Sequence, residues 1–178
     1  MSFVKNDKKV ISAWTFYDWA NSVYPLVITS AIFPIFYENV VAEHVVFFGC
    51  SLVNTELYSY VVSLSFIIVA VSSPLLSGIA DYSGSKKSFM KFFCYLGAFS
   101  CMSLYFFNSD YLELSMISVL LASVGFWGSL VFYNAYLPEI ATSDLHDKIS
   151  AKGFSRGYIG SSILLIICFV LIQLMDVN

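Results

Sequence analysis

Charge is scarce in this chain: 12% of its 178 residues are Asp, Glu, Lys or Arg, against 58% hydrophobic and 18% aromatic. A soluble domain of this length would need far more polar surface, so that class is excluded. Cysteine is sparse as well. Cys50, Cys94, Cys101 and Cys168 show no CxxC or Cys/His spacing, and three of them lie in apolar runs, which fits small buried hydrophobes. There is no HExxH and no GxSxG, and His44 and His146 fall in links on opposite faces, too far apart to share a metal or a nucleophile. An enzyme is therefore not expected, nor a cofactor, a metal or a nucleic-acid partner. A cleaved leader is not expected either, because the apolar run after "MSFVKNDKKV" is too long and contains Asp18; it reads as an uncleaved first helix. No low-complexity segment, glycosylation sequon or lipidation signal interrupts the chain.

What the chain has instead is repeated apolar runs near the ~20 residues that cross ~30 Å of hydrocarbon. They predict an all-α integral membrane protein, a single transmembrane unit over residues 1–178, with five spans at roughly 11–37, 57–79, 89–107, 112–136 and 157–175. The basic residues form three clusters: Lys5, Lys8 and Lys9 before the first span, Lys86, Lys87 and Lys91 between the second and third, and Lys148, Lys152 and Arg156 between the fourth and fifth. All are on one face, and the opposite face, with "VAEHVVFFGCSLVNTE", "FNSDY" and "MDVN", has acids and no bases. By the positive-inside rule the N-terminus is cytoplasmic and the C-terminus outside, in the cell (inner) membrane if the source is bacterial. Aromatics at span ends, such as Tyr37, Phe47, Phe48, Tyr105 and Phe106, read as interfacial anchors in the lipid bilayer.

The first span carries polar residues that a bilayer disfavours. An ionisable group near the hydrocarbon centre costs about 2.5 to 3.5 kcal/mol on insertion scales, so Asp18 requires a partner, a proton or a water-filled cavity. Trp14, Asp18, Asn21, Ser22 and Pro25 recur at spacings of three and four, which places them on one helix face directed at protein or water. Pro25 removes a donor opposite the Asn21 carbonyl, and Pro34 does the same opposite Ser30, so the helix should deform beside its polar face. The resulting acceptors suit a proton, a cation or a polar solute. The alternative is structural: Asp18 caps or pairs with a neighbouring helix, for example through Arg156.

Two glycine-rich stretches read as close helix packing. Gly125, Gly128 and Ser129 lie in "GFWGSLVFYNAYLPEI", which also offers Tyr133, Asn134 and Tyr136 as polar contacts. Gly153, Gly157 and Ser161 form a small-xxx-small row in "AKGFSRGYIGSS". Arg156, between those glycines, either snorkels to the interface or pairs with an acid such as Asp18, Asp81 or Glu139.

The loop "SGIADYSGSKKSF" has Asp81 at a helix end, Gly84 for a tight turn and Lys86 and Lys87 beside the headgroups. Its spacing resembles the signature loop of the major facilitator superfamily: Asp81, Gly84 and Lys86 match, while Ser77, Tyr82 and Ser85 replace a glycine and two basic positions. "YDWANS", residues 17–22, and "YNAYLPEIA" look like segments of the vacuole-effluxer-like branch. The resemblance runs from about residue 10 to 175 and implies the N-terminal half of a facilitator fold. It further implies a secondary transporter of small solutes, with amino-acid efflux the best-known assignment for a eukaryotic member of the branch. Carried over, Tyr17 to Ser22, with Asp18 and Asn21 among them, would face the central cavity, and Asp81, Gly84 and Lys86 would form a cytoplasmic gate loop. The superfamily needs about twelve helices, so this chain is expected to be truncated or split, or completed by a partner chain or a second copy. A membrane remnant or interaction subunit without transport is the competing expectation.

Overall fold

The computed structural model describes residues 5–175, and the order of elements is helical apart from one small hairpin. Helix α1, Lys8–Asn21, is followed by a widened π turn at Pro25–Ser30, and α2 spans Ile32–Val40. Strands β1, His44–Phe47, and β2, Cys50–Val53, lead into α3, Asn54–Ser83, and α4, Lys86–Ser103. Helices α5, Leu112–Ile140, and α6, His146–Met175, complete the chain. Among the described residues, five helical segments are long and apolar enough to cross a membrane: Lys8–Val40, Asn54–Ser83, Lys86–Phe106, Ser109–Ile140 and Ser143–Leu174. The protein is an all-α multi-pass membrane protein, and its exposed side chains include Ile67, Val71, Ile166 and Phe169, as lipid-facing positions should.

The observed helices are longer than the apolar runs within them. The difference is greatest in the fifth span, expected from residue 157: α6 starts at His146, so Lys148, Lys152 and Arg156 are helical residues and do not belong to a loop. Hydropathy locates the edge of the hydrocarbon, whereas Lys, Arg and Ala propagate a helix well beyond it. The second difference is in the link between the first two spans, for which no strand is expected from the apolar runs. There β1 and β2 pair antiparallel, with His44 opposite Val53 and Phe47 opposite Cys50. Phe48 and Gly49 both take positive φ, 47° and 82°, as the two central residues of a tight hairpin turn do.

The chain forms two compact units, residues 1–35 with 137–178, and residues 36–136. In the second unit, buried Asn54 closes the base of the hairpin. Its side-chain amide donates to the Val41 carbonyl at 3.1 Å, its backbone N–H donates to Glu43 at 2.9 Å, and its carbonyl accepts from the Tyr37 hydroxyl at 3.0 Å. The core of this unit gathers Val69 and Ala80 of α3, Phe93 of α4 and Val124 and Phe132 of α5. Phe132 stacks on Phe89 and Phe93 with centroids 5.3 and 5.8 Å away. Gly125 of α5 lies directly on the backbone of Gly97 in α4, and Gly128 lies on the Phe93 ring. Dispersion and shape hold these helices together, because lipid offers no hydrophobic gain on association.

In the first unit, Asp7 caps α1 by accepting from the Lys9 N–H at 2.7 Å. Asn6, with φ of 70°, ties the chain ahead of α1 to the turn after α5. Its N–H donates to the Ile140 carbonyl at 2.8 Å, and its side-chain oxygen accepts from the Thr142 N–H at 3.0 Å.

Candidate functional site

The polar face of the first span becomes a site because α1 and α6 pack along it. Every third or fourth residue of α6 from Ile149 through Gly153, Gly157 and Gly160 is buried. Gly160 lies directly against the indole of Trp19. A Cβ on Gly157 would sit 3.5 Å from the Asp18 carbonyl oxygen and 3.8 Å from its carboxyl carbon. The absence of side chains on α6 thus brings its backbone to the Asp18 turn. Ser161 donates to the Ser22 carbonyl at 3.4 Å, one turn further along.

Arg156 anchors the other end of this seam. One guanidinium nitrogen donates to the Ser12 carbonyl at 3.1 Å and to the Thr15 hydroxyl at 2.5 Å, and its central carbon lies 5.3 Å from the centroid of the Phe16 ring. Of the acids expected as its partner, Asp18, Asp81 and Glu139, none is used; a carbonyl, a hydroxyl and a ring face take their place. Thr15 is fully buried and was absent from the expected site. Its signal was available, since Thr15 precedes Asp18 by three residues and so shares its face.

The Asp18 carboxylate is therefore left with no hydrogen bond or ion pair among the described residues, while its backbone carbonyl accepts from the Ser22 N–H at 3.0 Å. Beyond it the helix changes geometry. α1 ends at Asn21, where Pro25 offers no donor; the Ala31 N–H then reaches back five residues to the Leu26 carbonyl at 3.0 Å before α2 resumes around Pro34. The Asn21 side-chain nitrogen and the Thr29 hydroxyl are buried in this stretch without a partner among the described residues. Such groups at membrane depth need water, an ion or a solute. Ser22 satisfies its own hydroxyl on the Trp19 carbonyl at 2.7 Å, and the half-buried Tyr17 side chain completes the same turn.

Compared with known proteins, residues 6–178 match the family described as vacuole effluxer Atg22 like. The chain belongs to that family. Among similar proteins is one named as an uncharacterized MFS-type transporter, YxiO, of Bacillus subtilis, 38% identical over 96% of this chain and 39% of its own length. Autophagy-related protein 22 of Coccidioides immitis is 29% identical over 52% of this chain and 15% of its own. An uncharacterized protein of Aquifex aeolicus is 26% identical over 86% of this chain and 36% of its own. This effluxer-like chain thus spans well under half the length of these relatives. No solved structure matches it.

The residues that resemble the signature loop lie in the second unit. Asp81 is in the last turn of α3, and Gly84 caps that helix with φ of 62°, a left-handed conformation that a side chain strains. Lys86 opens α4 and its ammonium is 2.7 Å from the Asp81 carboxylate. Lys87 points to the exterior. Asn134, expected among the packing contacts, is exposed on α5 instead, while its neighbour Tyr133 is buried. Helical phase decides this: Phe132 and Tyr133 take the inward positions, and Asn134 falls about 100° away.

Proposed function

We propose that this chain is part of a facilitator-type secondary transporter of small solutes, with the Asp18 region of α1 lining the solute or proton path. Membership of the effluxer-like family supports the transport reading. The observation that carries the site is the unpaired Asp18 carboxylate beside the buried, partnerless amide of Asn21, next to a helix opened by Pro25. A carboxylate that can bind a proton or cation, a neighbouring amide and a freed carbonyl form a set able to exchange water ligands for a polar solute. Amino-acid efflux is the specific substrate class we propose, coupled to protons through Asp18. The Asp81, Gly84, Lys86 and Lys87 loop is assigned as the cytoplasmic gate, with the N-terminus inside, the C-terminus outside and the cell membrane as the location. The helices facing this seam in a working carrier come from further sequence, a second chain or a second copy.

Flux in proteoliposomes tests the reading. The chain is reconstituted alone and with a polypeptide carrying the remaining helices of its Bacillus relative, and amino-acid uptake is followed under a pH gradient. Gradient-dependent flux that falls more than about tenfold in Asp18→Asn is expected. Unchanged flux in Asp18→Asn removes Asp18 from the path, and no solute flux in either preparation removes transport.

A further inference from the structure

We infer that the turn joining α3 and α4 carries a binding site for an anionic phospholipid. Its acyl chain lies in a groove between the two helices, and its headgroup meets Lys87 and Lys91. The groove has a volume of about 320 Å³ and is lined by Leu76 of α3 and by Ser88, Phe89, Phe92 and Phe93 of α4. That volume falls at the lower end of the ~300–1,000 Å³ typical of ligand sites. Such sites usually carry a few polar groups that orient a soluble ligand, and here the Ser88 hydroxyl is the one polar side chain in the lining. The surface around the mouth is apolar and exposed: Leu75 is 69%, Ile79 55% and Phe92 61% exposed, all within spanning segments. An opening onto the hydrocarbon, apolar throughout, takes an acyl chain.

The charge at its rim selects the headgroup. Leu76 lies seven residues before Ser83 and Phe92 six residues after Lys86, so at ~1.5 Å per residue the groove begins about 10 Å beneath the turn. Three lysines stand above or beside it. Lys86 is neutralised by Asp81 at 2.7 Å. Lys87 and Lys91 are exposed, with no ion pair among the described residues. Four residues apart, they share a face of α4, and Lys91 is also one turn from Ser88 in the lining. Long side chains at that depth reach up to the headgroup layer. A phosphodiester there meets two cations while its acyl chain fills the groove, whichever leaflet the turn faces.

Native mass spectrometry of the purified full chain, released from nanodiscs with equal phosphatidylglycerol and phosphatidylcholine of matched acyl chains, tests the site. Two lysines near the surface predict roughly 30-fold preferential retention of phosphatidylglycerol. Lys87→Gln with Lys91→Gln should abolish the preference, and Lys148→Gln with Lys152→Gln, removing equal charge from exposed positions of α6, should leave it intact. Ser88→Phe, which fills the groove, should reduce retention of both lipids. Equal retention of the two lipids by the unmodified chain overturns the inference, as does an equal loss in the α6 variant. Full phosphatidylglycerol retention by a folded Ser88→Phe chain overturns the groove as the acyl site. If Ser88→Phe does not fold, the exposed lysine pair still decides.

Discussion

The two units are held by different forces. In residues 36–136, α3, α4 and α5 meet through glycine against backbone and ring against ring, with Gly97 on Gly125 and Phe89, Phe93 and Phe132 in a stack. Along the α1 and α6 seam small residues also pack, with Gly160 on the Trp19 indole, but polar contacts are added: Arg156 to Thr15 and the Ser12 carbonyl, and Ser161 to the Ser22 carbonyl. Apolar packing of small residues tolerates no change of volume but needs no partner atoms. A polar seam can exchange its hydrogen bonds for water or solute, so it is the side able to rearrange without losing satisfaction. Scaffold and site are separated by the chemistry of their contacts.

The largest expected effect breaks the packed side. Gly125→Val drives a branched side chain into the Gly97 backbone, which cannot turn away, and should cost ~3 kcal/mol or more. Gly160→Ala meets the Trp19 ring, which is 37% exposed and able to rotate, and should cost ~1 kcal/mol. Thermal unfolding in detergent ranks the two, and equal losses would erase the contrast. On the polar side, Arg156→Met removes the guanidinium bonds to the Thr15 hydroxyl and the Ser12 carbonyl, leaves the Thr15 hydroxyl donating to that carbonyl at 3.1 Å, and should cost about 1–3 kcal/mol. Combined with Thr15→Val, the loss should fall short of the sum of the single losses by about 1 kcal/mol, which a double-mutant cycle measures. Additive losses would mean that the pair is incidental. The smallest effect belongs to the surface ion pair. Its Asp81 member is 60% exposed, so Lys86→Gln should change stability by less than ~1 kcal/mol, and that change should shrink in 1 M salt.

Much of the site was legible at the level of helical phase. A spacing of three and four places Asp18, Asn21 and Ser22 together, and the row Gly153, Gly157, Ser161 announces close approach. Which helix approaches could not be read this way, because small-residue rows carry no address. The partner of Arg156 stays open in the sequence for a related reason. Charge suggests an acid, yet a carbonyl and a hydroxyl met the guanidinium first, and that depends on the register between α1 and α6. The hairpin at residues 44–53 was overlooked because its strands are too short to register as runs, and its turn rests on the positive φ of Phe48, unusual for an aromatic.

The sequence by itself determined that this chain is a multi-pass membrane protein with five apolar spans, because that follows from local composition and the fixed thickness of hydrocarbon. It also determined which polar residues share a face, since helical periodicity is a property of the backbone. Only the tertiary structure decided which of those residues are satisfied. Thr15 is claimed by Arg156, Ser22 by the Trp19 carbonyl and Ser161, and Asp18 by no side chain among the described residues. Whether a hydrogen bond forms depends on ångström distances between segments nearly 150 residues apart, and no local pattern encodes those.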